Sequence, residues 1–593
     1  RPAGGPLMST PARRIVRRDP RAELQAALPA SLHPVLRRVY GARGVTHADD
    51  LALRLDQLLP VRSLEGVEQA AERLVAAHRQ RARVLVIGDF DADGATSTAL
   101  VVRHLRLLGF EQPDFLVPDR FRFGYGLTPE IVRVAADRRP DLIVTVDNGI
   151  SSVDGVEEAR RCGIDVLVTD HHLPGRELPR ACCIVNPNAP GATFGSKALA
   201  GVGVAFYVMA ALTHAMHAAG RVPAGVDASP AQWLDLVALG TVADVVPLDL
   251  NNRVLVAQGL RRIRRGRCVP GLRALLELAG RELAGVTGQD LGFQAGPRLN
   301  AAGRLDDMSR GIRCLLTDDP VEARGLAAEL AQLNTDRREL EARMQFEAVA
   351  HVDARVATLE GRVPAGVCVF DEGWHQGVIG LVASRVKERL HRPVIAFAPS
   401  EPGWIKGSAR SVPGVHVRDV LDAVATGNPG MLDKFGGHAM AAGLALRTEH
   451  LPAFESAFAA EVERRVDDDT LAGQLHTDGE LLAGEFCVET AAALREGGPW
   501  GSGFPEPVFD GRFEVFDARV VADRHLKLRL RCASGEAVEA IAFRHYDDAR
   551  APAIRPQDRV ELVYRAGVDE YAGQARLQLL VEYVAPLASD RKC

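Results

Sequence analysis

Arg83-Val-Leu-Val-Ile-Gly88-Asp89-Phe90-Asp91-Ala92-Asp93-Gly94 joins an unbroken apolar run to three aspartates on alternate positions. A half-exposed strand would alternate apolar with polar residues, so the continuous run reads as a strand covered on both faces. A helical pattern follows from Ala95 to Leu108. Phe115-Leu-Val, Leu142-Ile-Val-Thr-Val146 and Val166-Leu-Val168 repeat the strand signal, and Ile184-Val185 is a weaker fifth candidate. This alternation predicts an α/β domain with a mostly parallel sheet and helices on both faces. Ligands of such sheets lie beyond the carboxyl ends of the strands, where the polar clusters of this sequence fall.

Farther along, Leu326, Leu330, Leu333, Leu340 and Met344 keep a three-and-four spacing, broken by Arg337 where the stripe wants an apolar residue. That spacing predicts a long connector helix over 319–360. A second, smaller α/β segment over 361–465 has strand-like Val367-Cys-Val-Phe370 and Val394-Ile-Ala-Phe397, with a helix carrying Ile379, Val382, Ala383, Val386 and Leu390. From 466 to 593, alternating strands and turn residues predict an OB-like β-barrel. With a first domain over 41–318 and an amino-terminal extension over 1–40, the division suits 593 residues at roughly 150 per domain.

Apolar residues are 47% and charged residues 25%, which excludes global disorder, collagen-like repeats and a disulfide-stapled scaffold. Aromatics are only 5%, so the cores must be aliphatic. A net charge of -5 excludes a protein that coats nucleic acid by bulk charge, yet leaves room for a local basic groove. Lys197, Lys387, Lys406, Lys434, Lys527 and Lys592 are the only lysines, so nearly all of the 72 basic residues are arginine. None of the nine cysteines sits in a Cys-x-x-Cys pair, which points to a reducing compartment. The most apolar run, Leu199 to Leu212, is followed by Thr213 and His214 and is too short to span a bilayer. No apolar segment follows the Arg-rich amino terminus, so no secretory signal is expected, and Met8 is the expected start. A cytoplasmic protein without a membrane partner is predicted.

The chemistry is carried by acids. Asp89, Asp91 and Asp93 would share one side of an extended segment, and their repulsion is costly unless cations occupy the site. The blander reading is a helix cap with solvated turn acids. Asp147-Asn148-Gly149 ends another strand and Asp170-His171-His172 a third. Each alone could be only a cap, but three acidic strand ends in one sheet converge on one edge. Asp244, in Gly240-Thr-Val-Ala-Asp-Val-Val-Pro247, is an acid in an apolar setting and wants a metal or an arginine partner. Five aspartates with His171 and His172 favour manganese over magnesium. Two ions about 4 Å apart on a shared carboxylate generate a hydroxide and clamp a phosphate, so phosphoester hydrolysis is predicted.

The Asp-x-Asp-Ala-Asp-Gly run, Asp147-Asn-Gly, Asp170-His-His and Asp244 resemble the four motifs of the DHH phosphoesterases. Five further segments narrow the resemblance to the bacterial RecJ single-strand-specific exonucleases. They are Pro297-Arg-Leu-Asn-Ala-Ala-Gly-Arg304, Gly373-Trp-His-Gln-Gly-Val-Ile-Gly380, Gly407-Ser-Ala-Arg-Ser411, Gly436-Gly-His438 and Gly498-Pro-Trp-Gly-Ser-Gly-Phe-Pro-Glu-Pro507. The likeness covers roughly residues 40 to 585. It departs from the family at Asp119 before Arg120, where asparagine is expected, and at Phe90, where tyrosine is usual.

The resemblance implies a role for each residue. Asp91 and Asp93 would each hold one ion, Asp147 would bridge both, and His171 and Asp244 would complete the ligand set of the second ion. Asp89 would be a ligand or orient the attacking water. His172 would face the scissile phosphate, either stabilising its charge or assisting the leaving oxygen. The second α/β segment would be the DHH-associated domain. Ser408 and Arg410 alternate along a strand, so both share one face, and an arginine fork with a hydroxyl suits a terminal phosphate. By resemblance they hold the 5′ end, though a plain polar strand face reads the same way. His438 is a further substrate contact; His375 is a contact or a cap residue. Arg120, Asn300 and Arg304 would touch backbone phosphates, with surface ion pairs as the alternative.

His525-Leu-Lys-Leu-Arg-Leu-Arg531 adds an independent signal. As a strand it buries three leucines and presents Lys527, Arg529 and Arg531, which suits single-stranded nucleic acid on an OB-like barrel, or any solvated edge strand. The cluster Arg261, Arg262, Arg264, Arg265, Arg267 reads as a solvated face. The family implies a manganese-dependent 5′-to-3′ exonuclease converting single-stranded DNA to 5′-mononucleotides, with magnesium as the alternative ion. DNA repair and recombination are the implied setting, with a single-strand-binding protein and a RecQ-type helicase as partners. The rivals are a DHH-type phosphodiesterase of short oligonucleotides or cyclic dinucleotides, which has no need of the barrel, and a non-catalytic replication scaffold, which predicts eroded ligands.

Overall fold

Beyond a short first strand, β1 (Arg14–Arg17), the chain builds a parallel sheet from β2 (Val84–Gly88), β3 (Asp114–Leu116), β4 (Leu142–Val146), β5 (Asp165–Thr169) and β6 (Cys183–Val185). The computed structural model describes residues 13–358, 363–466, 473–532, 535–547, 551–569 and 574–587; Met8 and the boundary expected at 360–361 lie outside them. The strand order is β3-β2-β4-β5-β6. Leu85 and Ile87 of β2 pack with Ile131, Val156 and Val166 on one face. Val84 and Val86 enter the larger core with Leu100, Val204 and Leu239 on the other. Both faces are covered, which is why the strand is apolar at every position. The order reverses between β2 and β4, and at such a switch point a crevice opens beyond the strand ends.

The helix Gly201–Ala218 runs straight through Thr213 and His214. Thr213 does not interrupt it, because its hydroxyl donates to the Met209 carbonyl one turn back (2.9 Å). Among the described residues this is the one helix long and apolar enough to cross a membrane, and 72% of it is buried within the protein.

The connector is a single helix, Pro320–Thr358. Its first half sets Ala327 and Leu330 into the first core. Its second half sets Met344, Ala348 and Val352 beneath the next sheet. Arg337 breaks the apolar stripe between the two. It is buried, and donates to Glu341 (2.5 Å) and to Asn334 (3.0 Å). Glu341 also accepts from Arg385 of the second domain (3.2 Å), so the break is a charged joint where the helix passes from one domain to the other.

That second domain holds β7 (Val367–Phe370), β8 (Val394–Pro399), β9 (Trp404–Arg410), β10 (Lys434–Gly437) and β11 (Ala441–Arg447). They pair in the order β10-β11-β9-β8-β7, with only β7 and β8 parallel. The last region adds β12 (Gln474–Thr477) and a closed barrel of β13 (Phe509–Val521), β14 (His525–Arg531), β15 (Ala537–Ala542), β16 (Arg559–Asp569) and β17 (Arg576–Pro586). Leu526, Leu528 and Leu530 of β14 are buried in it, as the alternation requires. β1 pairs in parallel with β12, from Arg14 opposite Gln474 to Arg17 opposite Thr477. Beside this ribbon Arg43 grips Asp478 through two bonds of 2.8 and 3.0 Å, with both side chains almost wholly buried.

Two predictions follow from this packing. Arg43→Met leaves the buried Asp478 carboxylate with only the longer Arg18 contact (3.4 Å) and the Val508 N–H, and should cost about 3 kcal/mol. Adding Asp478→Leu should recover much of that loss, read as the unfolding midpoint in each variant. His104 is buried, accepts at Nδ1 from Trp233 Nε1 (3.3 Å) and contacts the Thr213 hydroxyl through Nε2 (2.7 Å). Burial pushes its pKa down to about 4. The unfolded chain therefore binds the extra proton first as pH falls. Stability should be complete above about pH 6.5 and fall by ~3 kcal/mol toward pH 4. A His104→Phe chain should lose that part of the slope in a pH series of melting curves.

Candidate active site

β2 ends at Gly88, and the acid run begins at the crevice. Asp91 is the N-cap of the helix Ala92–Leu107, its Oδ1 accepting the Gly94 N–H at 3.0 Å. The extended segment expected through Asp93 stops here. The Asn300 amide oxygen accepts the Ala92 N–H (2.8 Å), and Asp93 already lies in the first helical turn. Its carboxylate is held by the N–H groups of Gly201 (2.6 Å) and Val202 (2.9 Å), which open the helix Gly201–Ala218. A Cβ on Gly201 would stand 2.6 Å from Asp147 Cβ, so only glycine lets that helix approach. Asp147 follows β4 with φ +61°, a left-handed conformation that a non-glycine residue adopts at a cost. Asp244 caps the end of the helix Leu234–Ala243, and Val245 after it has φ +60°. Strain on both sides of the crevice marks a backbone held in place by its surroundings.

These elements bring every predicted acid to one place. Ligand atoms of Asp89, Asp91 and Asp147 lie within 4.8 Å of one another; so do those of Asp93, His171 and Asp244, and those of Asp147, His171 and His172. His171 Nε2 is 3.1 Å from Asp147 Oδ1, 3.6 Å from Asp244 Oδ2 and 4.0 Å from Asp93 Oδ2. Asp89 Oδ1, Asp147 Oδ1 and His171 Nε2 are buried without a hydrogen-bond partner among the described residues. Orphaned carboxylate oxygens around an imidazole nitrogen fit divalent cations taking mixed oxygen and nitrogen donors.

The electrostatics agree. Burial, then the charge of Asp91, raises the pKa of Asp89 well above the carboxylate range and that of Asp93 to about 7. Burial, then Asp93, does the same to Asp147 and Asp244. Burial and the nearby charge of His172 push His171 down to about 4, leaving a lone pair free to bind a cation. His172 goes the other way. Burial opposes its charge, but the Asp170 carboxylate at 2.8 Å from Nδ1, with the acids beyond, overcomes it. Asp170 in turn is fixed by the N–H groups of Ile150, His171 and His172.

Of the residues expected to meet substrate, Arg120, Arg304 and His438 lie close enough to this centre to interact electrostatically with its acids or with His172. Arg120 lies 4.5 Å over the Phe90 ring and forms no ion pair among the described residues. Phe90, one of the two departures from the family pattern, is thus the seat of that guanidinium. Arg304 donates to the Gly377 carbonyl across the cleft (3.2 Å). Burial, then the charges of Arg120, Arg337 and Arg410, lowers its pKa to about 10. His375 sits just before the helix Ile379–Leu390. Its Nδ1 accepts the Gly377 N–H (3.1 Å), and its ring meets Phe121 edge-on. Ser408 and Arg410 share a face of β9, bonded at 2.9 Å. A Cβ on Gly380 would stand 2.8 Å from Arg410 Nη2 and 3.0 Å from Ser408 Oγ, which places both at the start of the helix Ile379–Leu390. His438 follows β10, near enough that the charge of His172 helps lower its pKa, after burial. On β14, Arg529 and Arg531 are exposed and Arg531 lies 4.0 Å over Phe516, whereas Lys527 is paired with Glu539 (2.8 Å).

One residue escaped the sequence reading. Tyr125, between Gly124 and Gly126, places its hydroxyl 3.0 Å from His172 Nδ1 and 3.4 Å from the Asp147 carbonyl. The paired glycines, both at positive φ, were its only signal.

Comparison with known proteins gives these features a family. The model of the DHH family N-terminal domain matches residues 83–241, that of the DHHA1 domain 362–464, and that of the RecJ OB domain 477–583. The single-stranded-DNA-specific exonuclease RecJ of Dickeya dadantii is 51% identical over 575 residues, 96% of this chain and 99% of that protein. Its Escherichia coli counterpart is 50% identical over 565 residues, 95% of this chain and 97% of that one. A crystal structure of RecJ from Thermus thermophilus in complex with Mn2+ superposes with a TM-score of 0.80 at 31% identity, covering 97% of this chain and 80% of that one. A second, in complex with Mg2+, gives 0.73 at 30% identity, covering 97% and 78%. With its acids gathered beyond a parallel sheet, its second α/β domain and its closed barrel, the chain belongs to the RecJ family of single-stranded-DNA-specific exonucleases.

Proposed function

We propose that this chain hydrolyses single-stranded DNA from the 5′ end, releasing 5′-mononucleotides. The observation that carries the reading is the chain of three overlapping acid and histidine groups joined through Asp147 and His171, where buried carboxylate oxygens lack a hydrogen-bond donor among the described residues. Asp91, Asp93, Asp147, His171 and Asp244 would hold two manganese ions, with magnesium as the alternative. When bound, the ions supply the Lewis-acid charge that activates water and offsets charge on the phosphate. Asp89, unpartnered at Oδ1, orients the attacking water or joins the ligand set. His172, whose charged form the Asp170 carboxylate favours and which Tyr125 orients, offsets charge on the scissile phosphate or gives its proton to the leaving oxygen.

The polarity rests on Ser408 and Arg410. A hydroxyl and a guanidinium fork at a helix start suit a terminal phosphate dianion, and the strand's first phosphate would sit there. Arg120, Arg304, His375 and His438 would hold the next phosphates, with Asn300 giving its amide N–H groups while its oxygen braces the acid turn. Arg529 and Arg531 would guide the incoming strand, and Lys527 would join them when it leaves Glu539. We assign 1–40 to an extension, 41–318 to catalysis, 319–360 to the connector, 361–465 to substrate binding and 466–593 to strand guidance. Repair and recombination in the cytoplasm, beside a single-strand-binding protein and a RecQ-type helicase, complete the reading.

Asp147→Asn removes the shared ligand and should lower turnover of a 5′-phosphorylated single strand by at least roughly 10²–10³-fold. Chelator should silence the wild type and manganese restore it; turnover of a dinucleotide but not of the polymer would instead favour the small-substrate phosphodiesterase. Ser408→Ala/Arg410→Ala should raise KM about tenfold or more for 5′-phosphorylated strands and erase their advantage over 5′-hydroxyl strands. Steady-state rates on the two substrates decide it.

A further inference from the structure

A cavity of about 550 Å³ opens where the helix Leu250–Arg264, the Gly498–Pro507 turn and β16 meet, and no residue assigned above to catalysis or substrate binding lines it. Arg495 apart, its arginines are of two kinds. Arg281 is paired with Asp290 (3.1 Å), and Arg565 with Glu506 (2.7 Å) and Glu582 (2.8 Å). Arg253, Arg261 and Arg264 form no ion pair among the described residues. The last two donate to the backbone carbonyls of Leu53, Ala52 and Val286, which fix the guanidiniums without neutralising them. Arg253 is only 6% exposed, makes no hydrogen bond among the described residues, and lies 4.2 Å over the Phe504 ring.

The acids that reach Arg253 through space are already engaged. Asp249 caps the helix at Asn252 and accepts the Ser196 hydroxyl, while Asp50 accepts the His47 N–H. A buried guanidinium without a carboxylate is costly unless an anion arrives. The rest of the wall is mixed: Leu260, Leu494 and Trp500, whose indole N–H is already spent on the Leu494 carbonyl, stand beside Gln289, Arg495 and Glu496, the last acting on Arg264 through space. Unneutralised guanidiniums beside a flat apolar surface match a ligand with a phosphate and a planar base. The volume is that of a small-molecule site.

We propose that this cavity is a second nucleotide site, binding a nucleoside 5′-monophosphate through Arg253, Arg261 and Arg264. The ligand class coincides with the product of the proposed reaction, but the assignment stands on the cavity wall alone. An occupant would tie the first domain to the barrel.

Calorimetric titration of the full chain with dAMP in chelator tests this, using wild type, Ser408→Ala/Arg410→Ala, Arg261→Ala/Arg264→Ala and Arg253→Lys. One saturable site is expected in the wild type, unchanged in the cleft variant and weakened roughly ten- to a hundredfold in both cavity variants. Arg253→Lys keeps the charge and loses only the fork, so it reports even if the double alanine chain misfolds. Loss of binding in the Ser408→Ala/Arg410→Ala chain would assign dAMP to the cleft and overturn the proposal. So would equal affinity for inorganic phosphate, which removes the base from recognition, or no binding to the wild type.

Discussion

Five carboxylates share one crevice, and much of the surrounding structure resists their repulsion. Asp93 is neutralised in part by two backbone N–H groups at a helix start, and that helix comes so close to Asp147 that its first residue has to lack a side chain. Asp147 and Val245 both accept left-handed backbone on either side of the acids. Such strain persists only when packing over-determines it, and here the packing is the double-sided core beneath β2 and β4. The sheet is thus the rigid support of a charge cluster that would otherwise spread apart.

Opposite the acids, the cleft wall is made of arginines. Arg120, Arg304 and Arg410 come from three separate elements, and Arg304 is depressed by the others' charges as well as by burial. Arg120 and Arg304 come from the acids' own domain and Arg410 from the second, and the two domains already touch where Arg304 meets the Gly377 carbonyl. The connector joins them: its two apolar halves are anchored in different cores, and the Arg337–Glu341–Arg385 joint sets the spacing between them. A phosphate chain with cations is the complement of such a gap.

Much of this was readable from the chain. The strands stood out because sheets covered on both faces need unbroken apolar runs, and the acids stood out because they follow those runs. What could not be read depends on distant partners. Arg337 looked like a fault in an apolar stripe because Arg385, which shares its glutamate, lies in another domain. Asn300 read only as a phosphate contact, while its oxygen is committed to the Ala92 N–H. Lys527 read as a free basic position, but cross-strand Glu539 meets it, a register no linear pattern reveals. The Arg261–Arg267 run looked like a solvated face, yet two of its members tie down carbonyls at a cavity.

The β1–β12 ribbon has a consequence for how the molecule is made. The first described strand finds its partner about 460 residues later. During synthesis from the amino terminus, β1 therefore emerges long before β12, and its hydrogen-bonding edge stays open while the first sheet, the connector and the second domain are being built. Closing so long a loop carries a modest entropic penalty, because that penalty grows only with the logarithm of loop length. The larger effect is one of order. β1 is made long before its partner and is fixed only after it, so the ribbon works as a clasp that shuts once the second domain has been made.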